Sequence, residues 1–314
     1  MLNIVFCGSP EFAALSLDYL IEHKCAISAV VTMPDRQQGR GRKLMFNAVK
    51  ETALRHQLPV LQPEKATDPV FLNDLRSLKP DLILVVAYGK ILRPQFLAIP
   101  RYGCVNLHAS YLPYYRGASP IHQALLNGDT ETGITTFLIN EGMDSGDMIL
   151  REKIVIADDE TLGTLHDKLA DAGAKLLLDT VQAFSNGMPR LYPQDHSKAT
   201  YTQKILPEMA EIDWAQPAEA IRNRIRAFDP APGARTSIQI RNQHRILKLF
   251  CPKVIQKETT AAPGTIVDVT PHGLIIACGK NCIIVSQVQL EGKKRMPAEE
   301  FIRGYPDAAG IRLN

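Results

Sequence analysis

Three short apolar runs rich in β-branched residues, LNIVF (2–6), ISAVVTM (27–33) and DLILVVA (81–87), constrain this chain more than any other feature. They are apolar throughout and not merely at alternate positions, so as strands they need cover on both faces, which a parallel sheet flanked by helices provides. Between them, apolar residues recur at three- and four-residue spacing, predicting helices over 11–24, 48–57 and 68–79, the last stopping before Pro80. ITTFLI (134–139) and MILREKIVI (148–156) read as further strands, and 161–184 as a long helix. The first half is therefore expected to be a doubly wound α/β domain.

After Asn186 the pattern changes. Residues 186–207, NGMPRLYPQDHSKATYTQKILP, hold three prolines and keep no period, as expected of a linker over a surface. A helix over 217–228 follows, then TSIQI, RILKLFC, GTIVDVT, GLIIACG and CIIVSQVQL, short strand-like runs separated by turn signals that suggest a small barrel. At 314 residues the chain has room for two such domains, divided as 1–188, a linker over 189–207, and 208–314. From residue 208 onward Lys and Arg outnumber Asp and Glu by 15 to 11, whereas residues 1–207 carry 21 against 22, so the excess of positive charge lies in the second domain.

Several classes are disfavoured. Gly8 stands alone in CGSPEFAA, with Pro10 and Ala13 at the later places of a dinucleotide fingerprint, and without a second glycine a pyrophosphate cannot approach the backbone. The six cysteines include no C-x-x-C pair, and the eight histidines are scattered without metal-ligand spacing, so no metal is expected. The opening residues lack the basic region of a signal peptide, and no apolar run approaches a membrane span; a cytoplasmic protein without a membrane or an obligate protein partner is expected.

The chemistry concentrates in two stretches. In CVNLHASYLPYYRG (104–117), extended-chain alternation puts Asn106 and His108 on one side and Val105 and Leu107 on the other, just before a proline-shaped loop. In NEGMDSGDMI (140–149), Gly142 and Gly146 with Asp144 and Asp147 between two apolar strands read either as a tight loop able to aim one carboxylate into a cleft or as a plain acidic turn. An amide donor, an imidazole and a carboxylate suit acyl transfer: Asn106 donates to a developing oxyanion, His108 handles a proton or donates when charged, and Asp144 orients the ring or relays a proton through water. No G-x-S-x-G elbow is present, and Ser110 lies two residues from His108 on an extended segment, so attack by a substrate amine fits better than a protein nucleophile. A third stretch, PDRQQGRGRKLMFN (34–47), interleaves Arg36, Arg40, Arg42 and Lys43 with glycine and reads as a flexible cationic loop, either simply solvated or contacting phosphate.

Asn106-x-His108-x-Ser110, continued as YLPYYRGASP, together with EGMDSGD, closely resembles the folate-dependent formyltransferases. The GSPEFA opening, the PDR…GRGRKL loop, VVAYGKIL (85–92) and a C-terminal β domain are similar to the branch of that family that formylates methionyl initiator tRNA. The resemblance covers essentially the whole chain. It implies an α/β, Rossmann-like doubly wound, mostly parallel sheet followed by a smaller OB-like β-barrel, with Asn106, His108 and Asp144 catalytic. It implies 10-formyltetrahydrofolate as donor, held by Val86, Ala87, Tyr88 and Gly89 and by Ser110, Tyr111, Leu112 and Pro113, with Tyr111 standing where the family usually has leucine. Methionyl initiator tRNA would be the partner, contacted by Arg36, Arg40, Arg42 and Lys43 and by Arg222, Lys248, Lys293 and Lys294 of the barrel. The same three catalytic residues also resemble enzymes that formylate glycinamide ribonucleotide or amino-sugar nucleotides, and formyltetrahydrofolate hydrolase modules. A reading outside enzymology is an RNA-binding protein whose α/β domain is degenerate; it predicts tight RNA binding without folate-dependent turnover.

Overall fold

The computed structural model of the chain describes residues 1–38, 43–240, 243–308 and 310–314. They form two compact units, one of Met1–Pro120, Glu131–Val155 and His166–Thr202, the other of Ile121–Thr130, Ile156–Leu165 and Gln203–Asn314.

The first unit is built on a mostly parallel sheet. Its strands are β1 (Ile4–Gly8), β2 (Ile27–Val31), β5 (Val60–Leu61), β6 (Leu82–Val86), β7 (Cys104–His108), β9 (Glu131–Leu138) and β10 (Met148–Val155), in the order β10-β9-β7-β6-β1-β2-β5. All pairings are parallel except β7 with β9 and β9 with β10. A short hairpin, β3 (Arg36–Gln38) with β4 (Lys43–Met45), and a two-residue parallel pair, β8 (Arg116–Gly117) with β11 (Tyr201–Thr202), complete the strands of this unit.

The apolar runs become strands because both faces are covered. On one face Val5, Cys7, Ala29, Val31, Ile83, Val85 and Cys104 pack with Phe71, Leu72 and Leu75 of helix α3 (Pro69–Ser77) and with Phe96 of α4 (Pro94–Leu97). α3 begins where the Asp68 side chain accepts from the backbone N–H of Val70 and Phe71, and it ends before Pro80. On the other face α1 (Glu11–Glu22) lies so close that a Cβ on Gly8 would stand 2.7 Å from that of Ala13, and a Cβ on Gly173 of α6 (Leu162–Ser185) would stand 2.6 Å from Ile134 Cδ1 and 2.9 Å from Leu107 Cδ2. Glycine at both positions sets how closely helix and sheet approach. α2 (Ala48–Arg55) is capped by Asn47, whose side chain accepts from Lys50 N.

The second unit holds α5 (Pro120–Asn127), α7 (Ala218–Ala227), α8 (Ala298–Gly304) and an antiparallel half-barrel of β12 (Arg235–Ile240), β13 (Gln243–Ile255), β16 (Cys282–Leu290), β15 (Gly273–Ala277) and β14 (Ile266–Thr270), in that order, with β17 (Met296–Pro297) on β16. The run expected to end at Cys251 continues to Ile255, because Cys251 adopts φ 51° and Pro252 is accommodated opposite Val285. Within this unit the buried Arg226 of α7 donates to the carbonyls of Glu160 (2.6 Å) and Ala157 (3.1 Å), tying the 156–165 excursion to it.

Candidate active site

β7 lies where the sheet changes from parallel to antiparallel, with Val85 of β6 beside Asn106 on one side and Phe137 of β9 beside it on the other. Strand alternation turns Leu107 toward α6 and leaves Asn106 and His108 on the opposite face. Among the described residues the half-buried Asn106 amide has no side-chain hydrogen bond, so its donor is available to a ligand. His108 is 6% exposed and meets Phe137 edge to face, with ring centroids 6.4 Å apart.

The His108 ring is oriented from both ends. Nε2 lies 2.9 Å from the Tyr115 carbonyl, an acceptor only, so Nε2 carries a hydrogen and donates. A proton gained by the ring must then sit on Nδ1, which faces Asp144 Oδ2 at 3.7 Å. That oxygen also accepts from Gly117 N at 2.7 Å. Asp144 takes φ 44°, a left-handed conformation that aspartate tolerates better than most residues. Around it, Asn140 Oδ1 accepts from Gly142 N and from Ser145 Oγ, each at 3.0 Å, and a Cβ on Gly146 would stand 1.7 Å from the Leu138 carbonyl oxygen. The tight loop expected from the two glycines is therefore real, and Gly146 is required by the approach of backbone to backbone.

The residues after His108 are pinned to the sheet. Ser110 Oγ donates to the Tyr114 carbonyl (2.6 Å), Thr135 Oγ1 accepts from Leu112 N (3.1 Å) and donates to the Ser110 carbonyl (2.8 Å), and Leu112 is buried against Phe137 and Met148. The Tyr111 ring lies over the position of Gly133, with the Arg151 guanidinium 4.4 Å from its centroid, so this side chain is held on the β9–β10 hairpin. The loop from Val86 to Gly89 follows β6 directly beside the end of β7 and contains two left-handed residues, Ala87 at φ 46° and Gly89 at φ 86°. Tyr88 turns inward, 2% exposed, with its hydroxyl unpaired among the described residues and its phenol pushed up by burial, while Ala87 and Gly89 stay exposed. Of the eight residues expected at the donor, five, Val86, Tyr88, Ser110, Leu112 and Pro113, are buried, while Ala87 and Gly89 are exposed and Tyr111 is half-buried.

Cys104, on the same face of β7 as Asn106, is no nucleophile, since burial pushes its thiol well up, as it does for Cys7. Among the described residues no three His, Cys, Asp or Glu side chains are grouped to hold a metal ion.

The cationic candidates separate by environment. Arg40 and Arg42 lie outside the described residues, as does the side chain of Lys43. The flanks of that loop, expected to be flexible, are a paired hairpin, with Arg36 opposite Met45 and Gln38 opposite Lys43. Its base is held by Asp35, which receives Lys50 Nζ at 2.6 Å and Gln62 Nε2 at 2.9 Å; these hydrogen bonds, Lys50 first, hold its carboxyl below the usual range. In the second unit Arg222 is engaged by Asp158, Lys248 is half-buried beside Gly233, and Lys293 and Lys294 are exposed in the turn between β16 and β17.

Sequence reasoning missed Arg116 and Gln194. Arg116 is 1% exposed, and both its Nε and Nη2 donate to Gln194 Oε1; Gln194, 5% exposed, donates in turn to the carbonyls of Asp144 and Gly146. Gln194 sits in the proline-containing stretch read as a surface linker, and nothing local in YPQDH marks it as buried.

Known proteins match the chain along nearly all of its length. The model of the family described as "Formyl transferase" matches residues 2–181, and that of "Formyl transferase, C-terminal domain" matches 204–306. The chain is 44% identical over 309 residues to a methionyl-tRNA formyltransferase of Moorella thermoacetica, covering 98% of each chain. It is also 44% identical over 313 residues to one of Caldanaerobacter subterraneus subsp. tengcongensis, covering 99% of this chain and all of that one. Among solved structures, an N-formyltransferase of Helicobacter canadensis, in complex with folinic acid and dTDP-3-aminofucose, superposes with a TM-score of 0.67 at 18% identity over 91% of this chain and 99% of its own; at that identity it speaks to the fold alone.

Proposed function

The chain belongs to the formyl transferase family, and from that premise we propose that it transfers the formyl group of 10-formyltetrahydrofolate to the α-amino group of methionine esterified to initiator tRNA. It is an enzyme of translation initiation. The observation that carries this reading is identity of 44% to methionyl-tRNA formyltransferases along almost the whole chain, C-terminal domain included. No described helix is long and apolar enough to cross a membrane.

The catalytic assignment rests on the site geometry. The neutral amine attacks the formyl carbon, and the carbonyl oxygen of the resulting tetrahedral intermediate takes hydrogen bonds from the Asn106 amide and from His108 Nδ1–H. Losing one such donor costs about 100- to 1,000-fold in rate, roughly 3 to 4 kcal/mol. Asp144 Oδ2, 3.7 Å from Nδ1, lies within ion-pair reach of the ring. As the C–N bond to the methionine amine forms and the bond to N10 of the folate breaks, the amine loses one proton and N10 gains one. Asp144, 21% exposed at its side chain, sits where a water can carry that proton. Backbone of the 86–89 and 110–113 loops holds the donor, and the cations at 36–43 together with Arg222, Lys248, Lys293 and Lys294 hold the tRNA.

The test is incubation with 10-formyltetrahydrofolate and charged initiator tRNA, following formylmethionyl-tRNA, with uncharged tRNA and free methionine as controls. Formylation of the charged tRNA alone is expected; its absence, or equal transfer to free methionine, overturns the reading.

A further inference from the structure

Arg116 is a fully buried guanidinium that, among the described residues, meets no carboxylate. Its partners are all neutral acceptors: Gln194 Oε1 at 3.1 Å from Nε and 2.7 Å from Nη2, His196 Nδ1 at 3.1 Å from Nη2, and the Tyr201 hydroxyl at 3.3 Å from Nη1. A buried charge without a counter-ion is expensive, so such an arrangement persists where the dipoles around it are held rigidly.

The Gln194 amide is the most constrained of these dipoles. Its oxygen faces two guanidinium N–H groups and its nitrogen faces two carbonyls, Asp144 O at 2.9 Å and Gly146 O at 2.7 Å. Turning the amide over would set donors against donors and acceptors against acceptors, so a single orientation is allowed. Gln194 thereby grips the backbone on both sides of Ser145, next to the left-handed Asp144. The residue after Arg116 acts on the other end of the same aspartate, since Gly117 N donates to the carboxylate oxygen that faces His108. Two arms from one dipeptide, one through Gln194 to the Asp144 backbone and one directly to its side chain, fix where that carboxylate points. Gly117 permits this by taking φ 110° where a Cβ would stand 2.4 Å from the Thr202 carbonyl oxygen.

We propose that Gln194, seated on the buried Arg116 guanidinium, is a positioning residue for formyl transfer: it holds the 144–146 backbone so that the Asp144 carboxylate stays against His108 Nδ1. The proposal rests on the catalytic reading of Asp144 given above. It assigns a function to a residue that is itself only 5% exposed.

Gln194→Glu tests it, because the glutamate keeps the acceptor for Arg116, now as an ion pair, and sets an acceptor in place of the donor to the two carbonyls. Gln194→Met, which removes both, runs in parallel. Below the melting temperature, kcat is expected to fall about 10- to 100-fold in either variant, as for a catalytic group displaced by about 1 Å, with KM for folate and tRNA little changed. Asp144→Asn is expected to lose at least about 100-fold, and adding Gln194→Glu to it is expected to slow it no further, since Gln194 acts through Asp144. Fully multiplicative losses in the double variant, or a lowered melting temperature with kcat intact below it, assign Gln194 to stability alone and overturn the proposal. Wild-type turnover in Asp144→Asn overturns the reading of Asp144 itself, and the proposal with it; a slow Asp144→Asn beside a fast Gln194→Glu overturns only the proposal.

Discussion

Asp144 presents to His108 the same carboxylate oxygen that Gly117 holds: Oδ2 lies 2.7 Å from Gly117 N and 3.7 Å from His108 Nδ1. The longer distance is beyond a hydrogen bond and within reach of an ion pair, so the carboxylate oxygen is held by Gly117 and leaves Nδ1 free of a direct hydrogen bond to it.

Asn106 and His108 should therefore behave differently when truncated. The Asn106 amide has no protein partner among the described residues, so Asn106→Ala is expected to lose about 100- to 1,000-fold in kcat with an unchanged melting temperature. His108→Ala removes the hydrogen bond to the Tyr115 carbonyl and the buried ring that packs on Phe137, and is expected to melt earlier as well as turn over slowly. Steady-state kinetics beside thermal melts separate the two; near-wild-type kcat in either would sink the catalytic assignment.

Gly146→Ala should damage the site through its backbone. The added methyl meets the Leu138 carbonyl, beside the hydrogen bond from Leu138 N to the Asp147 carbonyl (2.9 Å) that closes the hairpin. A loss of about 1 to 3 kcal/mol in stability is expected, together with a kcat deficit like that of Asp144→Asn. Gly89→Ala, with open space around it, pays only the left-handed strain of about 1 to 2 kcal/mol. Equal kcat in Gly146→Ala and wild type would mean that the loop does not aim Asp144.

Deleting residues 39–43 is expected to raise KM for tRNA and to flatten the dependence of affinity on salt, by about one power of salt concentration for each phosphate that is no longer neutralised. Folate binding should be spared. An unchanged tRNA KM would mark the segment as a solvated loop.

Thiol chemistry should report the packing of the two units independently of activity. Burial pushes the Cys7 and Cys104 thiols well up and that of Cys278 up to about 12, while Cys251 is exposed. The fastest reaction toward a disulfide reagent is expected at Cys251 and is lost in Cys251→Ser, with the half-exposed Cys25, its thiol raised by burial, slower. Rapid modification of Cys7 or Cys104 would contradict the packing of α3 on the sheet.

The runs around β1, β2 and β6 were legible because an uninterrupted apolar strand has one environment, a parallel sheet covered on both sides, and the helices between them announced their buried faces by period. Asn106 and His108 were legible for the same local reason, since alternation along an extended chain puts them on one face wherever the strand goes. The glycines of 140–149 announced a tight loop. The flanks of the 34–47 loop were misread, because the backbone pairing of Arg36 with Met45 leaves no mark in a run of arginines and glycines.

By itself, then, the sequence determined the kind of sheet, the face that carries the amide and imidazole, and the loop able to turn a carboxylate. Only tertiary structure decided which atoms meet. That Nδ1 and not Nε2 faces Asp144 follows from the Tyr115 carbonyl, and that Asp144 is held at all follows from Gly117 and from Gln194, 50 positions further along the chain. Local periodicity reports burial and exposure within an element, whereas a hydrogen bond between distant segments depends on where the folded chain returns, and a buried glutamine in a proline-rich stretch has no period to betray it.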